Sequence, residues 1–308
     1  MIKRYSIENH QLVPAEAQTA PVWVVVNPNE DERKRLVEDL KLDEHNFSSA
    51  LDPGEPTRLE FKPDHLELIL KRPKNYSSRD QFLFKVASLG LFLFEDKLIL
   101  VLSEDINLFS GKYFKQVGGI REVFLKLIYN SVFHFSEHLK VIGMIEDELE
   151  NKIGSSMEKR HLMNLFTLEK SLIYYRDATN ANAQVIARLG LDAGKTGLSP
   201  RSLEFLEDIT IDNDQCRRQA ELCSGILAGL TTARAAMAAN KLNVLVRNLN
   251  AAVLAIAVPG FLAGVGGMSE LTAVTHIPDR RIAYPVFILA MALTGALTFW
   301  AIKRFEKH

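Results

Sequence analysis

The sequence predicts an α+β domain followed by long stalk helices and two transmembrane helices. Three observations carry this. Short β-branched runs such as "VWVVVN" (22–27) and "LELILKRP" (66–73) mark the first 110 residues or so, and after Gly118 apolar residues recur at three- and four-residue steps. Two uncharged runs of about 20 residues then lie near the C-terminal end, each as long as a hydrocarbon core of roughly 30 Å requires. With 308 residues, 47% of them hydrophobic, the chain can bury a sizeable core, so disorder is not expected. The formal net charge of −1 provides no overall basic field, and no nucleic-acid partner is expected.

Taken in order, "VWVVVN" reads as a strand ending at a turn. "PNEDERKRLVEDLKL" follows with a proline start, an acidic first turn and helically spaced Leu36 and Leu40. "LFKVASLGLFLFEDKLILVLSE" reads as a hairpin turning at Glu95-Asp96-Lys97. These segments make a cytoplasmic α/β domain over residues 1–115, and long cytoplasmic helices over 116–198. "MIKRYSIENHQLVP" lacks the apolar core of a secretory signal, so this part is expected to stay where it is made. A helix beginning near Ser202 meets no proline until Pro259 and is expected to run as a stalk, 199–248, into the first span. At 1.5 Å per residue, about 65 residues would extend roughly 100 Å.

Several polar features have bland readings. Cys216 and Cys223 are seven apart, about 10 Å along one helix, too far to bridge, and read as small core residues. His134 and His138 in "HFSEH" have i, i+4 spacing but no HExxH pattern and no evident third ligand, so they read as ordinary surface histidines. "IEDELE" (145–150) reads as a solvated acidic face. No GxSxG, HExxH or P-loop sequence is present, and no enzyme is expected.

The first span, 249–268, is "LNAAVLAIAVPGFLAGVGGM"; an external loop, 269–281, and a second span, 282–302, follow, with a basic tail at 303–308. Lys241 and Arg247 precede the first span and Lys303, Arg304 and Lys307 follow the second, which places both termini in the cytoplasm by the positive-inside rule. Arg280 and Arg281 in the loop weaken that bias without reversing it. Asn243, Asn250, Ala257 and Gly264 recur every seven residues on one helix face. Gly260 and Gly264 form a GxxxG pair suited to close helix packing.

This order of parts, with "PVWVVVNPNEDERKRL", "ALDPGEPTRLE", "FLEDITID", "NKLNVLVRNLN" and "PGFLAGVGGMS", resembles the CorA-like (two-span GxN) family of divalent metal cation transporters over nearly the whole chain. The resemblance implies a homopentameric funnel in the inner (cytoplasmic) membrane, with the first span of each subunit lining the pore. It implies divalent cations such as magnesium, cobalt, nickel or zinc as cargo and as regulatory ligands, and no organic cofactor. The family's Gly-Met-Asn signature appears as Gly267-Met268-Ser269, so Ser269 and the carbonyls of Gly267 and Met268 stand at the pore entrance. Asn250 and Asn243 would form polar rings, and Val246 and Leu249 an apolar constriction that gates by dewetting. Arg247, Lys303, Arg304 and Lys307 match the basic collar, a role that anchoring to anionic lipid explains equally well. Asp208 matches the family's regulatory metal site, with Asp212 one turn on and Glu95 or Asp96 of a neighbouring subunit as partners; solvent-facing acids are the other reading. Ser269 keeps open a second function, a membrane-anchored metal-sensing or scaffold protein that retains the fold without transport.

Overall fold

A computed structural model describes residues 1–77, 80, 82–109, 112–152, 159–266 and 280–305. Contacts divide the chain into two units, Met1–Thr231 and Thr232–His308. The first is built on a seven-stranded sheet: β1 (Ile2–Glu8), β2 (Gln11–Ala15), β3 (Val22–Val26), β4 (Arg58–Phe61), β5 (His65–Pro73), β6 (Val86–Phe94) and β7 (Leu98–Leu102). Their spatial order is β2-β1-β3-β7-β6-β5-β4, and only the β3–β7 pair is parallel. The β6–β7 hairpin turns at the expected Glu95-Asp96-Lys97, with Leu93 opposite Leu98. The β1–β2 hairpin was not anticipated from composition. Asn9 and His10, both at positive φ, form its two-residue turn, the geometry that matches the twist of paired strands.

Helices cover both faces of the sheet. On one side lie α1 (Glu30–Leu40) and α2 (Glu44–Ser49), which bury Leu36 and Phe47 against Val25, Phe92, Ile99 and Val101. α1 starts with a full capping box: Asn29 accepts from the Glu32 amide and Glu32 accepts from that of Asn29. Gly90 leaves no room for a Cβ beside Ala50, so the end of α2 sits directly on β6. The other face is covered by α3 (Ile120–Lys152) and α4 (Lys159–Leu191), joined by the first half of α6. A short turn, α5 (Ala193–Thr196), precedes α6 (Pro200–Gly266). Residues 1–115, 116–198 and the start of the 199–248 stretch therefore share one core: the sheet cannot shield its second apolar face without α3 and α4.

Because β5 is covered on both faces, its polar residues must be satisfied internally. Glu67 accepts from the Asn46 side chain, the Asp43 amide and His65 Nε2. Lys71 Nζ donates to the Pro53 and Glu55 carbonyls and to Ser88 Oγ. β4 pairs with β5 only as far as Ile69, which leaves the backbone of Lys71 without a strand on that side. Asn182 of α4 takes the strand's place, with its Oδ1 2.8 Å from Lys71 N and its Nδ2 2.8 Å from Lys71 O.

That clasp ties α4 to the sheet. Asn182→Ala leaves a buried N–H and a buried C=O unpaired, at roughly 1–3 kcal/mol each. Denaturant unfolding in mild detergent is expected to show a loss of about 2–6 kcal/mol; a change under about 0.5 kcal/mol would contradict the clasp.

Candidate functional site

The second unit holds the rest of α6 and α7 (Arg280–Phe305). Both helices are long and apolar enough to cross a membrane, with mean hydropathy of 1.7 and 1.9 over their most apolar stretches, and those stretches are almost entirely exposed in the single chain. One face of α6 is the exception. Ala251 is buried, and Ala255, Pro259 and Ala263 are half-buried, at i, i+4 spacing. α7 covers this face through Gly295, where a Cβ would lie 2.9 Å from the Ala255 carbonyl oxygen and 3.3 Å from Pro259 Cγ. Pro259 has no N–H to donate to the carbonyl four residues earlier, which is Ala255. The carbonyl released from the helical ladder is thus the one against which α7 packs its glycine. Thr294 and Thr298 satisfy their hydroxyls within α7, on Ala290 O and Thr294 O, as an apolar medium requires.

The seven-residue stripe lies on the other side. Asn243, Asn250, Ala257 and Gly264 are all exposed. At 100° per residue Ala257 lies about 160° around the helix from Ala255. Val246 and Leu249 are exposed at 48% and 59%. Among the described residues, no atom lies within 4 Å of where a Cβ of Gly260 or Gly264 would stand, so α7 packing does not account for their size. Of the basic group, Arg247 is exposed on α6. Lys303 Nζ lies 5.0 Å from the centre of the Phe299 ring, and Arg304 Cζ 5.1 Å from that of Trp300, each stacked on the aromatic residue one turn earlier. Gly267, Met268, Ser269 and Lys307 lie outside the described residues, as does the loop as far as Asp279.

In the first unit, Asp208 is exposed on α6 and Asp212 half-buried one turn on; Glu95 and Asp96 are exposed at the β6–β7 turn. Asp212 lines a groove of about 340 Å³ between α3 and α6 with Tyr129, Lys140, Gln215 and Gln219. Among the described residues, no three His, Cys, Asp or Glu side chains are placed to hold a metal within one chain.

Two bland readings need correction. His138 is not a surface residue: it is 8% exposed, its Nδ1 lies 2.5 Å from the Tyr175 hydroxyl, and its ring lies 4.4 Å from that of His134. Burial, with the neighbouring His134, lowers its pKa to about 4, so it is neutral at cellular pH. The acidic run is not uniformly solvated either, since Glu146 is 2% exposed. Both fall on the buried side of α3, which sequence reading missed because the polar type outweighed the helical position. Cys216 and Cys223 are buried, as small core residues should be.

An α/β soluble portion, a long helix shared between two units and a pair of apolar C-terminal helices define a two-span membrane protein. The chain belongs to the CorA-like Mg2+ transporter protein family, which matches residues 19–304. A relative named cobalt/magnesium transport protein CorA, from Methanocaldococcus jannaschii, is 22% identical over 263 residues, 80% of each chain. The complete structure of the CorA magnesium transporter from that organism superposes with a TM-score of 0.77 at 17% identity, over 98% of this chain and 96% of that one. The full-length CmaX protein gives a TM-score of 0.71 at 14% identity with the same coverage. The cytoplasmic domain of ZntB from Vibrio parahaemolyticus gives 0.59 at 14% identity, over 77% of this chain and 98% of that one.

The Gly295 contact is directly testable. Gly295→Val would drive side-chain atoms into the Ala255 carbonyl, whereas Gly225→Ala, where nothing lies within 4 Å, would not. In mild detergent the first variant is expected to unfold more easily by about 1–3 kcal/mol and the second to be as stable as the parent or up to about 1 kcal/mol more so, since alanine favours a helix interior over glycine; equal behaviour of the two would remove Gly295 from the helix contact.

Proposed function

We propose that this chain forms a homopentameric channel or transporter that moves divalent cations (magnesium, cobalt, nickel or zinc) across the inner membrane through a pore lined by α6. The observation that carries the reading is the two-faced character of α6. One face is covered by α7 at Ala251, Ala255 and Pro259, while the stripe of Asn243, Asn250, Ala257 and Gly264 is left open. Amides do not face lipid favourably, and five such stripes around an axis would give them water and one another. The unfilled space at Gly260 and Gly264 is what neighbouring helices would use. In the first unit, Ile211 and Leu222 are 56% and 58% exposed on the side of α6 turned away from its buried seam, and Ile226 is 41% exposed on the seam's flank, an apolar surface that a neighbouring copy would cover.

In this mechanism a hydrated cation enters at Ser269 and the Gly267 and Met268 carbonyls, and its waters hydrogen-bond to the side chains around it. Magnesium holds its water tightly, so selection works on the size and charge of the hydrated ion. Serine is shorter than the family's asparagine and makes a wider entrance, which favours a cargo other than magnesium alone. Asn250 and Asn243 carry the ion onward. Val246, about 60° around the helix from Asn243, is better placed for the apolar gate than Leu249, about 100° from Asn250. An inside-negative potential contributes roughly 4.6 kcal/mol per 100 mV to a divalent ion, twice the single-charge value, so uptake needs no ATP. Both termini are cytoplasmic, with Arg247, Lys303, Arg304 and Lys307 at the inner surface. Asp208 and Asp212 of one subunit, facing Glu95 and Asp96 of the next, would bind cytosolic divalent ions and report their level, a site that needs a second chain.

Metal uptake into proteoliposomes tests the proposal. The parent chain is expected to admit at least one of the four cations, Asn250→Leu to reduce that flux tenfold or more, and Ser269→Asn to shift preference toward magnesium. No flux of any of them would leave the membrane-anchored sensor or scaffold as the function.

A further inference from the structure

α3 and α6 meet along two matching seams. On α3 the buried residues Ile128, Val132, Phe135, Leu139, Ile142, Glu146 and Leu149 alternate in steps of four and three. On α6 the same rhythm runs through Leu206, Ile209, Asn213, Cys216, Ala220, Cys223, Leu227 and Leu230. This is the spacing of a and d positions in a coiled coil, and it turns one stripe of each helix inward, toward the other helix and toward α4, where Phe135 meets Tyr175 and Asn213 meets the Thr179 carbonyl. The helices run in the same direction, with Tyr129 against Phe205 near one end and Glu146 against Cys223 near the other. Cys216 Sγ lies 3.6 Å from Val132 O between them.

Glu146 is the one carboxyl among these positions. It is 2% exposed, Cys223 beside it is 1% exposed, and its Oε1 has no hydrogen-bond partner. Among the described residues, the donor that acts on its carboxyl is the Cys223 thiol, whose Sγ also accepts from Gln219 Nε2 at 3.7 Å. Among the described residues, the titratable groups acting on it are Cys223 from α6 and Asp147 from its own helix; none from α4 does so, and no lysine or arginine pairs with it. Burial pushes the Cys223 thiol up to about 12, so it stays protonated and serves as a weak donor. A buried carboxylate with one weak donor and no cation is far more costly than the neutral acid in the same place.

We propose that Glu146 is a proton-operated lock in the α3–α6 seam: protonated, it completes the apolar seam, and ionised, it loosens the hold of α3 on α6. The seam ends at Leu230, one residue before the first unit ends, so the lock acts on the last buried stretch of α6 before its apolar run. On the transport reading given above, this makes cytosolic pH an input to the stalk; the lock itself does not depend on that reading. Burial, then the Asp147 charge, raise the carboxyl to about 7 from an ordinary 4.5. A raised carboxyl stabilises the closed seam below the open-state value, and that stability is lost as pH rises from about 4.5 to about 7. In that window opening should increase about tenfold per pH unit and level off above it.

Hydrogen exchange of the full chain in detergent micelles, corrected for the intrinsic pH dependence, tests this without measuring flux. Between pH 5 and 7.5 the amides around 139–149 and 216–227 of the parent are expected to lose protection at least tenfold, while the β6 and β7 amides do not change. Glu146→Gln, the neutral isostere, is expected to keep seam protection constant across the same range. A parent seam whose protection does not change with pH, or a Glu146→Gln seam that changes as the parent does, would overturn the lock. If Glu146→Gln does not fold, as shown by unprotected β6 and β7 amides, Cys223→Ala decides: removing the one donor should move the loss of protection to higher pH, and no movement would overturn the proposal.

Discussion

The 3.5-residue seam of α6 is the constraint on which the other parts depend. From Leu206 to Leu230 every third or fourth residue is buried, and these side chains join α3 and α4 in the core that also covers the sheet. Leu230 closes that pattern, and beyond it the described part of α6 is exposed except at the half-buried Thr231 and Arg234 and at the small residues that meet α7. One unbroken helix therefore belongs to two units, held in the first by this seam and continuing into the apolar run of the second. Polar residues within the seam, Asn213 and Glu146, are the places where its strength is conditional. Asn213 is satisfied on one side by the Thr179 carbonyl, 3.0 Å from its Nδ2, whereas Glu146 depends on its own proton.

In the second unit a different economy of contacts applies. Lipid is as apolar as leucine, so the spans associate by close packing and not by hydrophobic exclusion. The small residues of α6 divide accordingly. Ala251, Ala255 and Pro259 bring α7 near, with Gly295 filling the space over a carbonyl that Pro259 has left without its helical donor. Gly260 and Gly264 remain open within the chain, on a helix whose polar stripe also faces away from α7. A glycine-rich apolar stretch is thus explained by two distinct contacts, one inside the chain and one that the proposed assembly supplies.

Much of this was legible in the sequence, and the rest was hidden for physical reasons. β3, the β6–β7 hairpin, α1 and both apolar helices follow from β-branched runs, an acidic helix start and uncharged length. The β1–β2 hairpin was not, because Asn9-His10 is a less familiar turn pair than one containing glycine, although asparagine tolerates positive φ well. His138 and Glu146 were read by residue type, and only the contacts show that their place on the helix overrides it. The 128-132-135-139-142-146-149 spacing was the signal that would have found Glu146. Of the candidate site, the seven-residue stripe was visible and the face opposite it, centred on Ala255 and Gly295, was not, since alanine and glycine carry no pattern that distinguishes packing from filler. The role of Ser269 rests on the sequence alone.

The central claim is that the stripe of α6 facing away from α7 lines a water-filled axis. Cysteine accessibility measures this most directly, because Cys216 and Cys223 are buried and leave a quiet background. Single cysteines at Asn250, Ala257 and Ile256 would be exposed in membranes to a charged, water-soluble thiol reagent. The account expects the first two to react and Ile256→Cys, about 120° around the helix from Asn250 and about 100° from Ala257, to be protected. Equal protection at all three positions, or reaction at Ile256→Cys alone, would contradict it.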